Sequence, residues 1–224
     1  MAGKNISGRM RRNKKFALTV IIVAASALVL TSVLGYLEYR SWSLPPRGSD
    51  PVAAEIAELE YRIAQLKDSL ERNPDETYFL TQLGNAYYDL GRIYQYLNNE
   101  PKWNESFAAA IEPYGKVLAT NPENVNVRVD RAVAAFWSGN HSLAEDEFER
   151  SIEIDPNHLN AHYNYGVFLF FGLKNPAAAI ARFEKVLELS PTDPQLISAA
   201  ELLIAQAKQE LNNPVFDTTP QKNN

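Results

Sequence analysis

The sequence predicts an all-α protein: one membrane-spanning helix, then a solenoid of about three helix pairs with a capping helix at either end. Three observations predict it. Alanine, an aromatic residue four places on and a later proline recur as Ala110, Tyr114, Pro122, then Ala144, Phe148, Pro156, then Ala179, Phe183, Pro191. The prolines stand 34 and 35 residues apart, the period of a two-helix unit, and each ends one helix before the next begins. Residues 16–37 hold no charged side chain. Finally, the dipeptides Asp50-Pro51 and Asp193-Pro194 each pair an N-cap with a first-turn proline, and an apolar stripe at helical spacing follows each of them.

Residues 1–15 carry six of the 22 Lys+Arg and no acid. The remainder then holds 16 basic and 27 acidic residues, a net of −11. That balance argues against nucleic acid as partner of the body, since phosphate neutralisation needs a basic face. The chain has no cysteine, which excludes disulfides and thiolate zinc sites.

The 22 residues of 16–37 would span roughly 33 Å as a helix, enough to cross a bilayer. The basic cluster precedes this stretch, and Tyr36, Tyr39 and Trp42 follow it at interfacial depth. The positive-inside rule keeps residues 1–15 cytoplasmic and places the body outside, in a bacterial envelope. The competing reading is a cleaved leader with Val33-x-Gly35 as its processing site, but leader apolar regions run about 7–15 residues. Residues 38–50, with Pro45, Pro46 and Gly48, form a linker.

Over 51–72 the apolar residues Val52, Ile56, Leu59, Ile63, Leu66 and Leu70 alternate spacings of four and three. Such a seam either covers the open end of the first helix pair or joins two chains in a homodimeric coil.

The repeated stretch, 76–193, resembles the tetratricopeptide repeat, whose pattern is W-x2-L-G-x2-Y, then A-x3-F, then P. The first unit (76–122) matches with Leu80, Leu83, Gly84, Tyr87, Ala110, Tyr114 and Pro122. The second (123–156) has Arg128, Arg131, Ala132 and Ala135 in its first helix, then Ala144, Phe148 and Pro156. The third (157–191) has His162, Tyr165, Gly166, Leu169, Ala179, Phe183 and Pro191. Small residues at Gly84, Ala132 and Gly166 are expected to meet Ala110, Ala144 and Ala179. The large Tyr87, Tyr114, Phe148 and Phe183 are expected to fill gaps between units.

Two departures stand out. About 14 extra residues, around Arg92 to Glu105, lengthen both helices of the first unit, with Asn98-Asn99 at the bend and Pro113 kinking the second helix. One extra residue falls near Gly172–Asn175, where it reads as a loop change. Beyond the repeats, Leu196, Ala200, Leu203, Ala207 and Leu211 give a capping helix over 194–211, and 212–224 reads as a disordered tail.

The resemblance implies a right-handed α-solenoid whose first helices line a groove for a protein or peptide. In the first unit the groove residues would be Tyr78, Asn85, Tyr88 and Asp89. In the second they would be Val129, Val133, Phe136 and Trp137, and in the third Tyr163, Val167, Phe170 and Phe171. Heat-shock co-chaperones hold a terminal carboxylate through lysines in this groove; here Thr81, Val129 and Tyr163 occupy the lysine positions. The slot therefore reads as apolar and aromatic. The anchor-plus-repeat architecture is also similar to the assembly factors of c-type cytochrome maturation.

Catalysis finds little support. No phosphate-cradling glycine loop, G-x-S-x-G or H-E-x-x-H occurs, so no cofactor is expected. The alternative is a metal-dependent enzyme using His158 and His162, four apart on one helix face, but two ligands do not make a site. Capping and packing account for both. The expected function is a non-catalytic, membrane-anchored interaction scaffold.

Overall fold

The computed structural model describes residues 50–189 and 194–212. The basic segment 1–15, the anchor 16–37, nearly all of the linker 38–50 and the tail beyond Asn212 lie outside the described residues. No helix among the described residues is long and apolar enough to cross a membrane.

Among the described residues eight α-helices follow one another: α1 (Pro51–Arg72), α2 (Thr77–Tyr96), α3 (Glu100–Thr120), α4 (Val125–Trp137), α5 (His141–Ile154), α6 (Leu159–Val167), α7 (Pro176–Glu188) and α8 (Pro194–Asn212). From Glu55 onward they form one compact unit. Helices α2/α3, α4/α5 and α6/α7 are the three hairpins, stacked as an all-α solenoid, and α8 packs on α7.

Two kinds of turn build this order. Between the helices of a hairpin, a residue with left-handed backbone precedes an asparagine cap: Asn98-Asn99, Gly139-Asn140 and Lys174-Asn175, with φ of 54°, 82° and 53° at the first residue. Each asparagine side chain accepts from a backbone N–H three residues on, satisfying one orphan donor of the new helix. Before each hairpin the turns are Asn73-Pro74-Asp75-Glu76, Asn121-Pro122-Glu123-Asn124 and Asp155-Pro156-Asn157-His158. Each is closed by a hydrogen bond from its fourth N–H to its first carbonyl, at 3.3, 3.2 and 3.1 Å. Asp50 caps α1 through the N–H of Val52. The corresponding cap expected at Asp193 lies outside the described residues.

The extra residue of the third unit is not in the loop. The N–H of Asn99 and that of Asn140 close on carbonyls five residues back, Tyr94 and Ala135, whereas that of Asn175 reaches six back to Leu169. The added residue widens the end of α6 into a π-helical turn, Phe168–Gly172, leaving the turn's left-handed residue and cap in place. The longer first unit is as expected, two extended helices bent at Asn98-Asn99. Pro113 is buried within α3, which runs on to Thr120.

Two of the small residues make room for aromatic rings of the second helices. A β-carbon at Gly84 would fall 2.5 Å from Tyr114 Cε1, and one at Gly166 would fall 2.6 Å from Phe183 Cε1. The rings of Tyr114 and Phe183 thus lie directly on the glycines of their own hairpins, while Phe148 fills the gap to the next unit as expected, 5.4 Å from Tyr165 and 5.7 Å from Phe168 between ring centres. Tyr87 faces outward from the repeat toward α1, where Lys67 Nζ sits 5.5 Å from its ring centre.

The core has three parts. Leu59 and Ile63 of α1 are buried with Leu83, Ala86, Leu90 and Tyr94 of α2, and Ile56, Leu66 and Leu70 pack around them. The seam of α1 is therefore engaged within the chain, covering the first hairpin. Phe107, Ala110 and Tyr114 of α3 join Val127 and Ala134 of α4. The largest part runs from α4 to α8, where Ala200, Ile204 and Ala207 close it. Leu211, expected on that stripe, is exposed at the last turn of α8, which ends at Asn212.

Candidate functional site

The first helices α2, α4 and α6 share a face, and the twelve expected groove residues divide on it by depth. Val129, Val133, Phe136 and Phe170 are buried in the largest core cluster, which corrects their placement as surface contacts. Their helices pack closely there, and apolar side chains at these positions fill the space between neighbouring hairpins. Asn85, Tyr88, Trp137, Tyr163 and Val167 are half-buried, and Asp89 and Phe171 are exposed. Tyr78 is 63% exposed and borders a pocket of about 280 Å³ between α1 and α2, with Arg62, Leu66 and Phe79.

The aromatic residues form a connected set. Phe107, wholly buried on α3, meets Tyr88 edge-on at 5.4 Å between ring centres and lies under Trp137 at 6.5 Å. Trp137 also leans on Phe136 at 4.5 Å. The indole is thus a wedge between the first and second hairpins with one side open. At the other end Phe170 and Phe171, both in the π-helical turn, meet at 4.8 Å, and Tyr163 lies 6.0 Å from Phe183.

Asp130 was absent from the expected set and stands among it. It lies on the α4 stripe Asn126, Asp130, Val133, Trp137, spaced four, three and four residues, a periodicity that extending the stripe by one turn would have revealed. Burial, and then repulsion from Asp89 on α2, push its carboxyl up to about 6. Burial also pushes Tyr88 up to about 12, with Asp130 and Asp89 adding to it and Arg92 opposing. The Tyr114 hydroxyl, raised by burial and by Asp130, donates to Asn85 Oδ1 at 2.9 Å. Asp89, exposed at its outer edge, is itself raised, first by the partial burial of its inner side, while Arg92 and Arg62 pull the other way. Among the described residues neither Asp89 nor Asp130 has an ion-pair partner. The candidate slot thus carries carboxylates beside its aromatic rings, where the sequence alone suggested an apolar and aromatic one.

The two arginines that weaken the second unit's match have a physical role. Arg128 and Arg131 of α4 both donate to the carboxylate of Glu147 on α5, whose side chain is only 7% exposed. Arg131 lies against α3 as well, where a β-carbon at Gly115 would come within 3.2 Å of its Nη2. An ion triad thus ties three helices where the repeat pattern places apolar residues.

The histidine pair does structural work. His158 caps α6, its Nδ1 accepting from the N–H of Ala161 at 3.1 Å, while its Nε2 donates to Asn126 Oδ1 at 3.0 Å. His162 is buried and donates from Nε2 to the Pro156 carbonyl at 2.9 Å. Among the described residues no three His, Cys, Asp or Glu stand together as a metal site would require.

Comparison with known proteins agrees with this architecture. Residues 104–158 and 138–194 match the family model for the tetratricopeptide repeat. The small glutamine-rich tetratricopeptide repeat-containing protein 2 of Mycosarcoma maydis is 29% identical over 109 residues, which are 49% of this chain and 30% of that protein. The chain thus spans less than a third of that relative's length. Among solved structures, TTC0263, a thermophilic TPR protein of Thermus thermophilus, superposes with a TM-score of 0.55 at 16% identity, covering 82% of this chain and 96% of that one. MamA gives a TM-score of 0.51 at 18% identity, over 70% of this chain and 80% of its own. At such identities the likeness concerns the fold.

Proposed function

We propose that this chain, a tetratricopeptide-repeat protein, is a non-catalytic scaffold that captures a partner protein on the face of α2, α4 and α6. One observation carries the reading: Tyr88, Trp137 and Tyr163 are half-buried and Phe171 is 45% exposed along that face, while α8 packs on α7. Partly open aromatics on a pre-formed helical surface are what a partner's helix or extended segment needs as anchor sites.

The test is site-specific photocrosslinking of the full-length protein in its native membrane. A photoreactive residue at Phe171 should capture a defined partner, and Trp137→Ala should reduce that capture at least tenfold, about 1.4 kcal/mol. The same probe at Tyr96, 83% exposed on the lengthened first hairpin, should capture none. Partner capture at Tyr96 alone would move the binding surface to the insertion.

The anchor belongs to the same proposal. Residues 16–37 would hold the repeats on the outer side of the membrane, with 1–15 in the cytoplasm. Activity of a cytoplasm-only reporter fused after Asn224 would reverse this topology. A role in c-type cytochrome assembly rests on the anchor-plus-repeat arrangement alone. It stands only if the crosslinked partner belongs to that machinery.

A further inference from the structure

The slot between the first and second hairpins has a chemistry that narrows its partner, given that the face of α2, α4 and α6 is the binding surface as proposed above. Its walls are the rings of Tyr88 and Trp137, both half-buried over Phe107. Its polar groups are Asp89, next to Tyr88 on α2, and Asp130, two turns before Trp137 on the same face of α4; the charge of the first acts on the carboxyl of the second. Arg92 and Arg62 offset Asp89 from one side, yet for Asp130 the influences are its burial and the second carboxylate. A half-buried carboxylate beside another carries a cost that an arriving cation removes. Aromatic faces beside the carboxylates favour the same visitor, because a lysine or arginine stem covers the rings while its charge meets their negative faces. An acidic segment would find the opposite: Thr81, Val129 and Tyr163 stand where a carboxylate-holding groove presents lysine. The net charge of −11 beyond residue 15 adds a long-range preference of the same sign.

We propose that this slot receives a lysine- or arginine-bearing segment of the partner protein, its cation between Asp89 and Asp130 and its stem across Tyr88 and Trp137.

The experiment is selection of a random twelve-residue peptide library, displayed on phage, against the immobilised full-length chain in detergent. Three variants run in parallel: Asp130→Asn, Asp89→Asn and Trp137→Ala. Circular dichroism checks that each keeps its helix content, and the two aspartate variants, being near-isosteric, back each other up if one misfolds. The expected result is that wild-type selections enrich Lys and Arg at least threefold over the input, and that Asp130→Asn removes the enrichment. Apolar or aromatic peptides without Lys or Arg, lost on Trp137→Ala, would overturn the charge preference and leave the binding face standing. Acidic peptides would overturn it as well. Failure of the wild type to select any sequence over the variants would overturn both this inference and the binding face on which it rests.

Discussion

The ring of His162 donates to the carbonyl of Pro156, six residues before it, at 2.9 Å, from a position only 4% exposed. One unit earlier Arg128 makes the same connection to Pro122, at 2.6 Å. Pro122 and Pro156, which help set the repeat period, thus also offer carbonyls to the following helix, and different side chains at one repeat position donate to them.

His162 should make stability depend on pH. Its Nε2 donates, so its neutral Nδ1 carries no proton, and that atom is buried without a partner. Burial lowers its pKa most; the Pro156 bond opposes, and Arg182, Lys185 and His158 add to the lowering. The unfolded chain takes up this proton near its ordinary value of about 6.5, and the folded chain resists. Its contribution is therefore complete above that value and declines as pH falls through it toward the lowered folded value. Thermal melts of wild type and His162→Gln from pH 8 to 5 should converge as pH falls. Parallel curves would show that the ring does not titrate in the fold.

Asp130 should act with the opposite sign. With a folded value of about 6 against an unfolded value near 3.8, its neutral form suits the fold, and stability is lost as pH rises through 6. Asp130→Asn should raise stability at pH 7.5 by about 1–2 kcal/mol, and the gain should shrink at pH 5. Urea melts at the two pH values measure it.

Glu147 holds two guanidinium groups, so its loss leaves two largely buried cations without an anionic partner, Arg128 keeping only the Pro122 carbonyl. Glu147→Gln should cost about 3–5 kcal/mol, more than the loss of either arginine alone. Replacing all three residues by apolar ones of similar volume should recover most of that cost, read by chemical denaturation. If the single change proves neutral, the triad contributes nothing to stability.

Gly84 leaves no room for a β-carbon beneath the ring of Tyr114. Gly84→Ala should destabilise by about 1–3 kcal/mol. Combined with Tyr114→Leu it should cost clearly less than the sum of the two changes, because they share one contact.

Leu59 distinguishes a covering helix from a dimer seam. Leu59→Asp should lower stability by about 2 kcal/mol or more, the cost of an unpaired charge beside Leu83 and Leu90, with no change in sedimentation. Normal melting with loss of a dimer would instead place the seam between chains.

Local chemistry sufficed for much of this. The bounds of α1, the bend at Asn98-Asn99 and the three hairpins follow from caps, prolines and apolar spacing, all of which act over a few residues and need no knowledge of neighbours. That Tyr88, Trp137 and Tyr163 share one face of the first helices was legible for the same reason, since a repeat puts equivalent positions on equivalent faces. What the tertiary structure decided involves partners far apart in the chain. Glu147 makes sense of Arg128 and Arg131 only once α5 lies against α4. The depth that sends Val129 and Phe136 to the core and leaves Trp137 half-open is set by how hairpins stack. The extra residue near Gly172 could be absorbed by a loop or by a wider helical turn, and only the hydrogen bond from Asn175 to Leu169 decides. Asp130 reads as an ordinary helix-surface acid until α2 brings Asp89 and Tyr88 beside it and removes its water. Charge spacing along a chain does not report that change, because desolvation and repulsion arise from packing, not from sequence order.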